Sequence, residues 1–163
     1  MKIQLFILIM LLFTMNTISL LAEEGEAPTG LRRVSDDLKF KNAMLLFKIG
    51  KREKAFEKFK EYLEIYINGI HRREAYQRIA QIYFNRFEFL QAIGIYKALY
   101  SEFSTFESGI DAYYRMGICY RKMGYDKKAN SIFKSIIKEY PNSKYLNLSK
   151  MQLDIMKMVN EDI

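Results

Sequence analysis

The stretch that decides the fold is Asp111–Ser143, DAYYRMGICYRKMGYDKKANSIFKSIIKEYPNS. Tyr113, Met116, Gly117 and Tyr120 fall at the spacing of one helical face, and Ala129 and Phe133 do the same on a second segment that ends at Pro141. Between them, Lys122 to Asp126 reads as a tight turn, because the glycine within it accepts the left-handed conformation that commonly closes a helix. The pattern predicts an antiparallel helix pair. Gly117 marks the point where the two helices come closest: glycine inside a helix costs about 1 kcal/mol against alanine, and close packing is the compensation.

Working outward, the same pattern recurs twice at a shift of 37 residues. Tyr76, Ile79, Ala80 and Tyr83 fall on Tyr113, Met116, Gly117 and Tyr120, and Ala92 and Tyr96 fall on Ala129 and Phe133. A further shift brings Ala43, Leu46, Ala55 and Phe59 to the matching places. Three units follow, 36–72, 73–109 and 110–146, each unable to bury its apolar face without a neighbour. The small residues Ala43, Ala55, Ala80, Ala92, Gly117 and Ala129, with Pro141 as terminator, are the expected packing code. The first unit is the weakest, with Lys39 and Asn42 where the others carry large apolar residues, as suits a repeat with no neighbour on one side. After Pro141, Asn142 and Ser143 are placed to cap a last helix, 147–160, carrying Leu148, Met151, Ile155 and Met158 on one face. The expected architecture is all-α, with seven helices.

The order aromatic-x2-Met-Gly-x2-Tyr, then Ala-x3-Phe, then Pro resembles a tetratricopeptide repeat (TPR), with Tyr113 where that family often has Trp. The resemblance implies a right-handed superhelix of helix pairs with a C-terminal capping helix. The period of 37, rather than 34, together with Glu139-Tyr140-Pro141-x-Ser143, is similar to the BamD/CpoB-type envelope branch of the superfamily. By that resemblance the first helices line a concave surface, with the second, fifth, ninth and twelfth residues of each unit pointing into it. These are Asp37, Phe40, Met44 and Phe47; Glu74, Gln77, Gln81 and Phe84; Asp111, Tyr114, Ile118 and Arg121. Of these, Phe40, Met44, Phe47, Gln77, Gln81, Phe84, Tyr114, Ile118 and Arg121 are the expected partner contacts. Aromatic side chains and methionine suit capture of a helix or extended peptide, and the glutamines and arginine suit its backbone or carboxylates. The alternative for Phe40, Met44 and Phe47 is packing against residues 31–34 or closure of a short superhelix on itself.

At the N-terminus Lys2 precedes an apolar run, Ile3 to Phe13, then a more polar stretch to Ala22 and the acidic Glu23-Glu24. This predicts a secretory signal peptide, 1–22, cleaved after Ala22, and hence a periplasmic or otherwise exported protein. The alternative is an uncleaved inner-membrane anchor over residues 3–22, since about 20 apolar residues span a bilayer. No cysteine follows the run, so the sequence offers no lipidation site of the bacterial lipoprotein kind. Residues 23–30, EEGEAPTG, read as a flexible leader, with structure beginning near Leu31. The remainder, 31–163, is long enough for one domain.

Composition narrows the chemistry. The chain of 163 residues carries a net charge of +7, and Lys2 holds the only charge before Glu23, so +6 lies on 23–163. Half the residues are hydrophobic, which suffices for a continuous core, and with one cysteine, Cys119, no intramolecular disulfide can help hold it. His71 is the single histidine, so neither a histidine-based triad nor a multi-histidine metal site can form within the chain. Asp36 and Asp37 are expected to serve as charges at a helix N-terminus. The basic groups around Lys51, Arg72 and Lys127 are expected at helix ends and turns, on solvated surface. No phosphate-binding glycine loop, cofactor motif or nucleic-acid motif is present, and an exported chain leaves the compartment where most nucleic acid lies. The sequence therefore points to a non-enzymatic scaffold without cofactor or metal, whose partner is an envelope protein or peptide and which stands near a membrane. The alternatives are an anchored adaptor and an accessory subunit of an envelope enzyme complex.

Overall fold

A computed structural model describes residues 29–161. The expected signal peptide and residues 23–28 of the expected leader lie outside the described residues. Seven helices follow one another: α1 (Thr29–Lys48), α2 (Arg52–Ile65), α3 (Arg72–Asn85), α4 (Phe89–Phe103), α5 (Glu107–Lys122), α6 (Asp126–Glu139) and α7 (Tyr145–Glu161). The described residues contain no strand, and none of their helices is long and apolar enough to cross a membrane. Residues 36–163 form one compact unit, and residues 1–35 belong to another. The architecture below is that of 36–163.

Three helix pairs stack in sequence order, and their turns share one geometry. In each, the N–H three residues past the helix end reaches back to a carbonyl five residues earlier: Lys51 to Leu46 at 2.9 Å, Glu88 to Tyr83 at 3.0 Å and Tyr125 to Tyr120 at 2.9 Å. This closure requires a left-handed residue just before it. Gly50 (φ +78°) and Gly124 (φ +76°) supply that conformation in the outer pairs. The middle pair has Phe87 there, at φ +63°. A side chain in this region costs about 1–2 kcal/mol, so Phe87 holds its turn against its own preference.

The small residues lie where the helices close on one another. Ala43, Ala55, Ala80, Ala92 and Ala129 are wholly buried. A Cβ on Gly117 would stand 2.6 Å from the Phe133 ring, so α5 and α6 meet at a distance only glycine permits. Pro141 is exposed in the turn after α6. Two apolar clusters fill the interior, one built from Phe40, Phe59, Tyr62 and Ile79, the other running from Ala80 through Leu99, Met116 and Phe133 to Met156. Tyr83 and Ile95 pack against both, so the core is continuous through the middle pair.

Several local expectations are corrected. Helix α1 starts at Thr29, so Asp36 and Asp37 do not sit at a helix N-terminus. Asp36 is instead a buried acceptor, taking the Tyr62 hydroxyl and, at 2.9 Å, the Ile70 N–H, which ties α1 to the joint between α2 and α3. Asp37 pairs with His71 at 3.1 Å and with Lys41 at 2.6 Å. Arg72, expected on solvated surface, is a clamp: it donates to the Leu63 and Tyr66 carbonyls at the end of α2 and to both carboxylate oxygens of Glu102 at 2.8 and 2.9 Å.

The last helix also differs. Ser143 accepts the Tyr145 N–H at 3.2 Å, so α7 begins two residues before the expected 147. Its buried side chains are Tyr145, Ser149, Gln152 and Met156. Leu148, Met151, Ile155 and Met158 face outward, from 38% exposure at Leu148 to 65% at Met158. Among the described residues α7 packs on α6 and, more lightly, on α5, and this outer part of its apolar arc is left uncovered.

Candidate functional groove

The first helices of the successive pairs, with α7 as the fourth in register, present their second, fifth, ninth and twelfth positions to the same side. The structure treats these positions unequally. Phe40 is only 5% exposed, stacked on His71 at 4.3 Å and packed against Phe59 and Tyr62. It is a core residue, because the joint before α3 folds over it, and the expectation that it meets a partner is corrected. Met44 and Phe47 are half-buried against the same cluster, and the Arg78 guanidinium lies 5.4 Å from the Phe47 ring centre.

Gln77, Gln81 and Phe84 come together. With Arg78, Asn85, Tyr96, Asp111 and Arg115 they line a cavity of about 410 Å³ between α3 and α5, floored by α4 through Tyr96. Its walls carry both charges. Asp111 accepts two contacts from the Arg115 Nε, each 2.9 Å, and the Tyr145 hydroxyl at 2.8 Å. Gln81 accepts from Arg78 at 3.1 Å, and the buried Arg78 Nε has no partner. Burial pushes the Tyr96 phenol up to about 12, so it stays a neutral hydroxyl at ordinary pH. The cavity thus offers amide, guanidinium and carboxylate groups beside the Phe84 ring. These suit peptide backbone and side-chain contacts, and no pair among them is placed as nucleophile and base.

Tyr114 and Ile118 are half-buried members of the core edge. Tyr114 sits between the Phe133 and Tyr145 rings, at 5.6 and 5.3 Å, which leaves part of one face open. Arg121 is separate from Gln77 and Gln81. It borders a second cavity, also of about 410 Å³, with Gly124, Asp126, Ile155, Met156 and Val159.

From the sequence, Arg78 and Arg115 draw no expectation, and Leu148, Met151, Ile155 and Met158 are expected only as one face of the last helix. Arg78 and Arg115 stand 37 residues apart, so the repeat register itself held that signal. Likewise Leu148, Met151, Ile155 and Met158 continue the series Asp111, Tyr114, Ile118 and Arg121 at the same shift. They extend the groove as an exposed apolar edge. Cys119 lies away from both cavities, fully buried, and burial pushes its thiol up to about 12. Among the described residues no cluster of His, Cys, Asp or Glu is placed to hold a metal ion.

With helix order, turns and groove established, comparison with known proteins is informative. A family model described as a tetratricopeptide repeat matches residues 111–143. The fold is a TPR-like superhelix. The TPR domain of Arabidopsis OM64 superposes with a TM-score of 0.56 at 17% identity, over 76% of this chain and 98% of that one. The crystal structure of MamA superposes with a TM-score of 0.52 at 21% identity, over 73% of this chain and 68% of that one. No curated protein sequence matches the chain.

Proposed function

We propose that this chain is an exported scaffold of the bacterial cell envelope, which holds a helix or extended segment of an envelope protein in the groove formed by α3, α5 and α7. The observation that carries the proposal is the cavity between α3 and α5. There the Gln77 and Gln81 amides and the Arg115 guanidinium line the cavity next to Phe84, and the exposed apolar residues of α7 lie in the same register. A bound segment would set its backbone on the amides and its apolar side chains on Phe84, Met151 and Ile155. Export rests on the leader sequence, and assembly or coordination of outer-membrane proteins is the role the sequence resemblance suggests.

Site-specific photo-crosslinking in cells tests this. A photoreactive residue replacing Gln81 or Met151 is expected to trap the same envelope protein, and one replacing the exposed Lys134 on α6 is not. Equal trapping from Lys134, or adducts only to cytoplasmic proteins, overturns the proposal. The native N-terminal residue decides the leader: Glu23 means cleavage, Met1 an anchor.

A further inference from the structure

The turns within the three helix pairs lie at one edge of the stack, because 48–54, 85–91 and 122–128 are the same seven positions in successive repeats. The joints between pairs, 65–71, 102–108 and 139–145, form the other edge. Charge is divided unequally between them. The first turn carries Lys48, Lys51, Arg52 and Lys54, the second Arg86, the third Lys122, Lys127 and Lys128, against Glu53, Glu88 and Asp126. That edge is +5, and the joint edge, with Lys144 against Glu102, Glu107 and Glu139, is −2. Apart from Arg86, which pairs with Glu53, none of these turn-edge cations is in an ion pair among the described residues.

From this basic row protrude apolar side chains. Ile49, Phe87 and Tyr125 are exposed in successive turns, and Leu90 joins Phe87 in the middle one. Phe87 is 78% exposed and Leu90 67%, at positions where the flanking turns carry Gly50 and Gly124, and Glu53 and Lys127. Phe87 is thus a large aromatic held in solvent, in a backbone conformation its neighbours give to glycine. Packing does not account for it, since among the described residues its one ring contact is T-shaped, with Phe89 at 6.1 Å.

We infer that the turn edge docks on an anionic phospholipid bilayer, with Phe87 and Leu90 entering the headgroup region and the lysines of the first and third turns meeting lipid phosphates. A row of basic residues around a protruding aromatic is what an anionic interface attracts and retains. An acidic protein would satisfy the charge and leave Phe87 and Leu90 in water. The joint edge also exposes Ile65, Ile67, Ile70 and Phe106, so it is the charge that separates the two edges: its negative charge is repelled by the same surface. The inference does not depend on the groove: Asn85, Gly124 and Asp126 border both the turn edge and the cavities, whereas Gln77, Gln81 and Arg115 lie away from the turns and stay available to a partner.

The chain has no tryptophan, so an indole introduced at one position reports that position alone. In the full chain, Phe87→Trp is expected to shift its emission to the blue on vesicles of phosphatidylglycerol and phosphatidylethanolamine and to be quenched by brominated acyl chains. Phosphatidylcholine vesicles and about 0.5 M salt, at which the Debye length falls below about 5 Å, should reverse this. Leu90→Trp is expected to behave alike, and Phe106→Trp on the opposite edge to stay unquenched, even where the N-terminal apolar run itself enters the bilayer. Each of Lys51→Gln and Lys127→Gln should lower partition of the Phe87→Trp chain about fivefold. Equal quenching at Phe87→Trp and Phe106→Trp overturns the inference. So does a blue shift of Phe87→Trp with polyglutamate but not with vesicles, which would assign the edge to an acidic partner.

Discussion

At the scale of the residue, the repeat places two different demands on one register position. Gly117 faces the fully buried Phe133 ring, and the side chain of Gly117→Val would begin 2.6 Å from it. A helix gains up to about 1 kcal/mol when glycine is replaced by a better helix former, and overpacking costs about 1–3 kcal/mol, so the clash wins. Urea denaturation should show Gly117→Val destabilised by about that margin. Asp154 occupies the same register in α7 and is exposed; Asp154→Val should stay within about 0.5 kcal/mol of the parent. An equal loss at both positions would show that helix interior propensity, not the α5–α6 approach, governs Gly117. One residue along the same face of argument is Cys119, whose thiol burial raises to about 12. Thiolate is the reactive form, so the native chain at pH 8 should resist alkylation by iodoacetamide and react only in denaturant.

At the scale of the element, the turns were legible and the terminal helices less so. Gly124 signals its turn by itself, and Gly50 repeats the signal, yet Phe87 gives none, because nothing in a phenylalanine announces a left-handed backbone. Only the register of 37 identifies it. Phe87→Gly should raise stability by about 1 kcal/mol, since the ring that is lost is largely in water and the strain disappears with it. A chemical-denaturation midpoint that falls instead would mean the ring contributes more to the fold through Phe89 than its exposure implies. In α7 the periodicity gave a helix with Leu148, Met151, Ile155 and Met158 on one face, and the structure buries the other side, Tyr145, Ser149, Gln152 and Met156, against α6 and α5. Its apolar residues cover about half the circumference, so the pattern alone does not choose which part is buried. Phe40 failed for a related reason: its position is open in the later repeats, but in the first pair the His71 ring and the Tyr62 hydroxyl network close over it. The cavity residues Gln77, Gln81 and Phe84 were readable because the same helix face recurs there without such a cover.

At the scale of the whole molecule, the helices are joined by ion pairs as well as by the core, and these set the behaviour in acid. Lys39 of α1 meets Glu61 of α2, His71 meets Asp37 across the first joint, and Arg72 of α3 holds Glu102 at the end of α4. Lys39, with Lys58, brings the Glu61 carboxyl down from 4.5 to about 2. Arg72 lowers Glu102 and Lys41 lowers Asp37 in the same direction. Carboxyls held below their unfolded values bind protons more readily in the unfolded chain, so their contribution is complete above about pH 4.5 and is lost as pH falls toward 2. Protonation in that window also raises the net charge of an already basic chain, adding self-repulsion. The melting temperature should therefore vary little from pH 8 to 5 and drop steeply below 4.5. Glu102→Gln should lower stability at pH 7 and narrow the difference from the parent at pH 2.5, where the parent carboxyl is losing its charge. Glu57→Gln removes only the exposed 3.5 Å contact with Lys60 and should track the parent throughout. If Glu102→Gln also tracks the parent, the Arg72 clamp acts through the Leu63 and Tyr66 carbonyls alone, and its pairing with Glu102 inside the second helix pair adds nothing to stability.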